Sequence, residues 1–501
     1  MASMWEGTHS RRITTRIVVE GDLVLQTPAH FGNGDSSDAT DMPLLLDLFD
    51  EAEGHTTPLL TGASLAGALR SYLREFESGY GIESGKKSLC SKLFGGRQAD
   101  DGDDGEQSSL IVDDARGEHG AIELRDGVAI NAQSRTADDG KKYDLQLWAA
   151  GTCFPLRFEL VIREYDNEAE LRQGLVTALG GLSNGEITMG MRKRRGYGAV
   201  TARNWRVRQW NLQEPAELLD WLENGAAPVT AQASLQAVLG APLPADNDKR
   251  DFFAIEATFA LDGSLLIRSE GRRADKGPDA VHLKARKADG VNTASVLSGT
   301  SLAGVLRARA GKILNTLGDT DAKKCIDAIF GTDMEELRKL RRQGNKAAQP
   351  RASRLHVTEQ VIDHVEEELV QNRVSIDRFT GGALDTALFN EQPVFGGDGS
   401  SLTLTLTLRE PKDKEIGLLL LLLKDLWTGD LPLGGESSVG RGRLQGLSAT
   451  LKHSGKELGT ITAVGDKLQY LTISDGLAVK AEGYMTKLKE GFAKLKQEVV
   501  A

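Results

Sequence analysis

Two segments of this chain gather the residue types that could hold a polyanion. Gly185-Glu-Ile-Thr-Met-Gly190 runs straight into Met191-Arg-Lys-Arg-Arg-Gly-Tyr-Gly198, which combines glycine, four consecutive cations and an aromatic ring. Glycine lets the main chain approach a phosphate closely enough for backbone N–H groups to donate to it. Arg192, Lys193, Arg194 and Arg195 would neutralise phosphate charge, and the Tyr197 ring offers a face for a base to stack on. A second segment, Gly434-Gly-Glu-Ser-Ser-Val-Gly-Arg-Gly442, keeps the glycines with a single cation, Arg441. The competing reading of each is a tight turn with a solvated basic face. Recurrence in corresponding places favours the ligand.

A second pair of segments poses the same choice. Gly62-Ala-Ser-Leu-Ala-Gly-Ala-Leu-Arg70 recurs as Gly299-Thr-Ser-Leu-Ala-Gly-Val-Leu-Arg307, with seven of nine positions identical at an offset of 237. A glycine-hydroxyl turn entering a helix presents free N–H groups and the positive end of the helix dipole, which suits a phosphate. Ser64 and Ser301 stand where an N-cap belongs. Arg70 and Arg307 lie two turns on, facing either a ligand or solvent. His30 and His282 fall in loops where a histidine serves RNA contact, proton transfer or neither. The sequence offers no ligand-spaced histidine cluster, no Ser-His-Asp set and no Walker-type loop.

These segments are positioned by a chain that contains itself twice. Leu93-Phe-Gly95 pairs with Ile329-Phe-Gly331, Gly127-Val-Ala-Ile-Asn131 with Arg373-Val-Ser-Ile-Asp377, and Gly196-Tyr-Gly198 with Gly440-Arg-Gly442, all in the same order. The expected layout is a first domain at 1–227, a linker at 228–248, a second domain at 249–451 and an extension at 452–501. In each half a strand (17–25, 253–267) leads to the helix that follows Ser64 or Ser301. In the first half, Leu65, Leu69, Tyr72, Leu73 and Phe76 share one face of that helix. A strand pair at 128–132 and 154–163, a helix at 168–179 (416–427 in the second half) and a last strand at 199–207 follow. The order β-α-β-β-α-β predicts an α+β chain of two ferredoxin-like, RRM-like domains with long insertions. Tyr484, Leu488, Phe492, Leu495 and Val499 predict an amphipathic C-terminal helix packed on its own protein.

Composition bounds the rest. A chain of 501 residues with 40% hydrophobic and 27% charged residues has real cores and more than one domain. The longest apolar run, Leu418 to Leu423, is too short to span a membrane, and the polar N-terminus does not read as a secretion signal. Three scattered cysteines, Cys90, Cys153 and Cys325, fit a reducing compartment, so a cytoplasmic location is expected. The net charge of −11 weighs against nucleic-acid binding. Distribution softens that, because acid concentrates at 100–106 and 366–368 and base at 192–195 and 338–354.

Together these motifs resemble the RAMP superfamily of CRISPR-associated proteins. The resemblance is carried by the repeated Gly-x-Ser-Leu-x-Gly-x-Leu-Arg segment and by Arg194-Arg-Gly-Tyr-Gly198, and it covers roughly residues 13–212 and 250–451. More narrowly, Arg373-Val-Ser-Ile-Asp-Arg-Phe-Thr-Gly-Gly-Ala383 is similar to the segment leading into the thumb hairpin of type III backbone subunits. The tandem arrangement is similar to fused, type III-D-like subunits. The resemblance implies a ribonucleoprotein subunit that grips a CRISPR guide RNA, with complementary target RNA and further backbone, large and small subunits as partners. It implies thumbs at 131–151 and 377–397 that wedge into the guide–target duplex, with Arg378 at the second.

It also implies target cleavage. Family members often carry Asp-x-Pro-aliphatic about twenty residues before the Gly-x-Ser turn, which Asp41-Met-Pro-Leu44 matches. Asp279-Ala-Val-His282 occupies the like place without the proline. Asp41 and Asp279 are thus the expected catalytic and metal-holding residues, with Asp35, Asp38 and Asp275 as alternates. The implied reaction is attack of a 2′-hydroxyl on the adjacent phosphate, with Mg2+ or Mn2+ as cofactor, leaving cyclic-phosphate and 5′-hydroxyl ends. Three other readings stay open at this point: a non-cutting scaffold, a guide-processing RAMP nuclease, and a ferredoxin-like regulator without RNA.

Overall fold

The computed structural model describes residues 12–34, 40–47, 57–83, 85, 87–96, 107–118, 120–131, 136–229, 234–235, 240, 247–270, 277–318, 321–343, 349–464 and 467–500. In the first half the central strand β1 (Ile13–Leu25) alternates between two faces. Ile17, Val19, Leu23 and Leu25 point into a core, while Arg16, Glu20 and Asp22 belong to the opposite face. Its antiparallel neighbours are β5 (Cys153–Arg163) and β6 (Val200–Asn211), and β2 (Leu110–Val112) pairs outside β5. Helices α1 (Gly62–Ser78), α2 (Leu89–Phe94) and α3 (Glu168–Ser183) cover the apolar side. Leu65, Leu69, Tyr72 and Leu73 of α1 are buried there, as the helical spacing requires.

The second half repeats this order. Strand β7 (Phe252–Asp262) lies between β11 (Val394–Arg409) and β12 (Arg443–His453), with β8 (Leu355–Val357) outside β11. The alternating Leu402, Leu404, Leu406 and Leu408 of β11 join the leucines of α6 (Asp413–Trp427) and of α4 (Gly299–Leu317) in one core. Helix α5 (Ala322–Phe330) adds Cys325 and Ile329. Cys90, Cys153 and Cys325 form no disulfide. No helix among the described residues is long and apolar enough to cross a membrane.

The structure corrects several local expectations. The N-caps are Thr61 and Ser298, whose hydroxyls accept from the N–H of Ser64 and Ser301, so each cap lies three residues earlier than expected. The in-sheet partner of 153–163 is Leu110–Val112. Residues 122–130 instead form β3 of a separate hairpin with β4 (Ala137–Trp148), and β9 (Gln371–Ile376) and β10 (Ala383–Gln392) make its counterpart. The hairpins thus begin well before 131 and 377.

The tail does more than form a helix. Strands β13 (Lys456–Val464) and β14 (Lys467–Ile473) extend the second sheet beyond β12, and α7 (Asp475–Val500) then packs on α6. Gly417 of α6 makes this possible, because a Cβ there would stand 2.7 Å from the Tyr484 carbonyl. Gly417→Val is therefore expected to cost roughly 1–3 kcal/mol by overpacking. It should speed tryptic cleavage at Lys480 and Lys487, with the rest of the chain intact on a gel. Unchanged cleavage kinetics would refute the packing role.

Opposite the helices, the first sheet is covered as well. The segment Pro215–Asn224 folds back as a helix, with Arg16 stacked 4.4 Å from the Trp221 ring and the Trp210 indole donating to Asp220 at 2.7 Å. Val18, Trp210 and Val229 form a small core beneath it. A sheet face that single-stranded RNA occupies in other α/β binders is filled here by the protein itself. In the first domain this leaves the loop edge as the accessible side of the sheet.

Candidate nucleic-acid interface

That loop edge assembles part of the expected set. His30, Asp41, Ser64 and Lys193 line one cleft of about 750 Å³, together with Thr61, Gly67 and Ser71 of the α1 start and Gly190 of the glycine-rich loop. His30 is only 6% exposed, and its Nδ1 lies 2.8 Å from the Gln146 carbonyl. It forms part of the cleft wall, tied to the first hairpin.

Asp41 is exposed on the cleft rim and fastened to the descending strand of the first hairpin. Its N–H donates to the Asp144 carboxylate at 2.8 Å, and the Asp144 N–H donates back to the Asp41 carboxylate at 3.1 Å. Asp279 repeats this pattern. Its N–H donates to the Asn390 side-chain oxygen at 2.7 Å, and the Asn390 N–H returns a bond to the Asp279 carboxylate at 2.9 Å. The two candidate aspartates thus occupy equivalent places, each at the base of a hairpin. Asp35, Asp38 and Asp275 lie outside the described residues.

The basic loop is a single 3-10 turn, Lys193–Arg195, between Arg192 and Gly196, both in the left-handed region at φ 56° and 93°. It docks onto the second half. Arg194 donates to the Ser353 carbonyl at 2.7 Å, and a Cβ on Gly196 would stand 2.5 Å from the Glu359 nitrogen. Arg192 stacks on Tyr143 and donates to its hydroxyl. Among the described residues no carboxylate pairs with Lys193, Arg194 or Arg195. Burial and then the neighbouring arginines hold all three below their usual values, Arg194 at about 10. Unneutralised, partly desolvated cations are what an incoming anion relieves.

Other expected contacts are used internally. Arg70 donates to the Gly95 carbonyl at 3.0 Å, and Arg307 to the Gly331 carbonyl and the Asp327 carboxylate, both at 2.6 Å. These cations bind the C-terminal ends of α2 and α5, where the dipole favours them. Tyr197 is 4% exposed beneath the Arg125 guanidinium, so its ring has no face left for a base. Arg441 is buried between Glu391 and Glu436 and donates to Gln371, bolting the second hairpin to its glycine-rich loop. The α1 start is also partly taken, since the Gly62 N–H already donates to Asp114 at 2.6 Å. Ser301 and its neighbours face the docked loop, a Cβ on Gly299 standing 2.4 Å from the Arg195 carbonyl.

Both hairpins carry exposed apolar groups. Ile122, Leu124, Val128 and Ile130 stand out from the first, and Val374, Ile376, Leu384 and Leu388 from the second. Phe379, beside exposed Arg378 at the second tip, is 99% exposed. The sequence matches the RAMP superfamily over residues 22–201 and again over 263–445. The chain belongs to the RAMP superfamily. Each match spans one half, so this is a tandem of two RAMP domains. No curated protein sequence matches it closely enough to add a relative.

Sequence reasoning missed Asp144, Asn390, Arg125 and Glu359, whose roles depend on partners more than a hundred positions away. His282, grouped with His30 by its loop position, is a buried structural histidine of this RAMP chain. Its Nδ1 accepts from the Ile267 N–H at 3.2 Å and its Nε2 donates to the Val296 carbonyl at 3.1 Å, which satisfies the neutral ring. Burial pulls it down to about 4, as it does His356 beside Arg409 and Arg194. The unfolded chain takes up these protons near pH 6.5, and the folded chain only near 4. Stability is therefore full above about 6.5 and lost as pH falls toward 4, by on the order of 3 kcal/mol for each histidine. Urea unfolding at pH 7.5, 6 and 5 should show this fall, and His282→Gln should remove part of it. A midpoint independent of pH in that window would contradict the assignment.

Proposed function

We propose that this protein is an RNA-gripping backbone subunit of a type III CRISPR ribonucleoprotein, and that it cuts RNA complementary to its guide. The observation that carries the reading is a duplicated one: each RAMP domain pairs a projecting apolar hairpin with an exposed aspartate fastened at its base. We read each domain as ferredoxin-like, on a sheet whose second strand lies outside the third and whose first lies between third and fourth. Lys193, Arg194 and Arg195 supply uncompensated charge to a phosphate backbone beside the cleft. The exposed side chains of Val374, Ile376 and Phe379 suit a wedge that unstacks a base pair.

Asp41 keeps one carboxylate oxygen without a partner among the described residues, on an open rim beside Asp144. Such oxygen donors fit a hydrated magnesium ion, which Asp41 would hold and which would supply positive charge to the scissile phosphate. Asp41 itself orients the attacking 2′-hydroxyl or takes its proton, and alignment supplies much of the acceleration. In the second domain Asn390 stands where Asp144 stands in the first, and each side-chain oxygen accepts from the N–H of the loop aspartate, so Asp41 and Asp279 are the carboxylates this reading relies on. A scaffold without cutting is the alternative for either half.

RNA content tests the reading. The protein purified in its native assembly should carry RNA, with absorbance at 260 nm exceeding that at 280 nm. Lys193→Ala and Arg195→Ala should each lower the slope of log affinity against log salt by about one, without sequence preference. An assembly free of polynucleotide would end the reading.

A further inference from the structure

The fastening of the two aspartates has a chemistry of its own. In the first domain the segment 41–44 runs along the descending hairpin strand through a series of bonds. Asp41 and Asp144 exchange backbone N–H for carboxylate in both directions. Beyond them, the Gln146 N–H donates to the Met42 carbonyl at 3.2 Å, and the Gln146 side chain accepts from the Leu44 N–H at 3.2 Å. In the second domain Asp279 and Asn390 make the corresponding two-way exchange, with the Asp279 N–H also reaching the Asn390 carbonyl at 3.1 Å, and Ala280–Val281 then pair in parallel with Glu391–Gln392 of the hairpin. The loops differ in sequence, yet both converge on one ring of hydrogen bonds at the same place.

We propose that Asp144 and Asn390 are positioning residues that lock each loop aspartate to the hairpin beside it, so that the seating of the hairpin sets the position of the carboxylate. This rests on the cleavage reading above. Both side chains do the same work through one acceptor oxygen, so the lock needs an acceptor of that size and not a charge. The chain thus carries its own control: Asp144→Asn should be tolerated because Asn390 already is, and Asn390→Asp because Asp144 is. A hairpin displaced from its seat would drag the aspartate out of line. A misplacement of about 1 Å is enough to slow an aligned reaction by about 10²-fold.

The test uses the native ribonucleoprotein with end-labelled RNA complementary to its guide, under single turnover, with the rate followed at each cut. Asp144→Ala should slow the Asp41-dependent cut by about 10²-fold, while Asp144→Asn retains most of it. Asn390→Ala should slow the Asp279-dependent cut by less than about 10²-fold, because the Asn390 carbonyl still accepts from the Asp279 N–H, and Asn390→Asp should retain most of it. Guide content and melting temperature are recorded for every variant. Should Asp144→Ala not assemble, the Asn390 pair and the two conservative variants decide. In the free full-length chain, amide exchange in 40–47 should quicken for Asp144→Ala and not for Asp144→Asn. If Asp41→Ala leaves every cut in place, the cleavage reading and the lock fall together. If Asp41→Ala removes a cut that Asp144→Ala leaves at full speed, the lock alone falls. It falls too if Asp144→Asn is as slow as Asp144→Ala, or if exchange is unaltered.

Discussion

Replacing Asp41 and Asp279 together by alanine is expected to slow target cleavage by about 10²–10⁴-fold, the range for removing a positioned acid–base group, with guide RNA still bound. Both side chains are exposed, so the change leaves no buried charge behind. Each loses one hydrogen bond, to the N–H of Asp144 or Asn390, worth about 1 kcal/mol. The fold should therefore stand while the chemistry fails, and the two effects separate cleanly. Each single variant should remove its own subset of cuts, because the carboxylates sit at the bases of different hairpins. Denaturing gels of end-labelled target, read beside guide content, check this. Undiminished fragments from a fully assembled double variant would leave the chain a scaffold.

The largest stability effect is expected at the seam between the domains. Arg125, on the first hairpin, makes a two-pronged pair with Glu359 of the second domain, with Nη2 to Oε1 at 2.9 Å and a second bond from Nη1 to Oε2. Both side chains are 4% exposed. Burial opposes the charge on Arg125, but Glu359, helped by Tyr197 and Glu123, outweighs it and holds the guanidinium above its usual value. Removing Arg125 strands the Glu359 charge away from water, at about 3–5 kcal/mol, whereas removing Glu359 leaves Arg125 its second carboxylate, Glu123 at 3.2 Å. Arg125→Ala should therefore lower the unfolding free energy by that amount, and Glu359→Ala by less. The double variant should lose clearly less than the sum, since no lone charge remains. Denaturant titration of the four proteins closes the cycle, and additive losses would show that the pair is not coupled. The neighbouring Arg409–Glu75 pair, at 3.0 Å and more accessible, should matter far less.

The consequence for function lies in geometry. The first hairpin is locked to the second domain through Arg125, whereas the second hairpin is locked within its own domain through Arg268, Arg373 and Arg441 against Glu391 and Glu436. Two equivalent projections are thus held by different means. A change at the seam should disturb the first hairpin and its aspartate before the second.

Much of this was legible in the chain. The duplication, the amphipathic face of α1 and the glycine-rich turns follow from patterns spanning a few residues, and the structure contains them, whereas the strand expected at 128–132 belongs to a hairpin outside the sheet. The places of Asp41 and Asp279 came from their spacing to the repeated turn together with a family resemblance, and the structure gives them equivalent surroundings. Residue type does not reveal which groups the fold itself engages. Arg70, Arg307, Tyr197 and Arg441 look like RNA contacts because Arg and Tyr suit that task. Each instead finds a carbonyl, a carboxylate or a guanidinium supplied by the fold. Lys193 and Arg195, of the same type, find no acidic partner.

The sequence alone therefore determined that two copies of one α+β unit exist and where their glycine-rich turns fall, because periodicity and internal identity act over short distances. Only the tertiary structure decided which charges are used up and which are left for a ligand. That depends on pairs such as Arg125 and Glu359, 234 positions apart, whose meeting is set by the packing of whole domains.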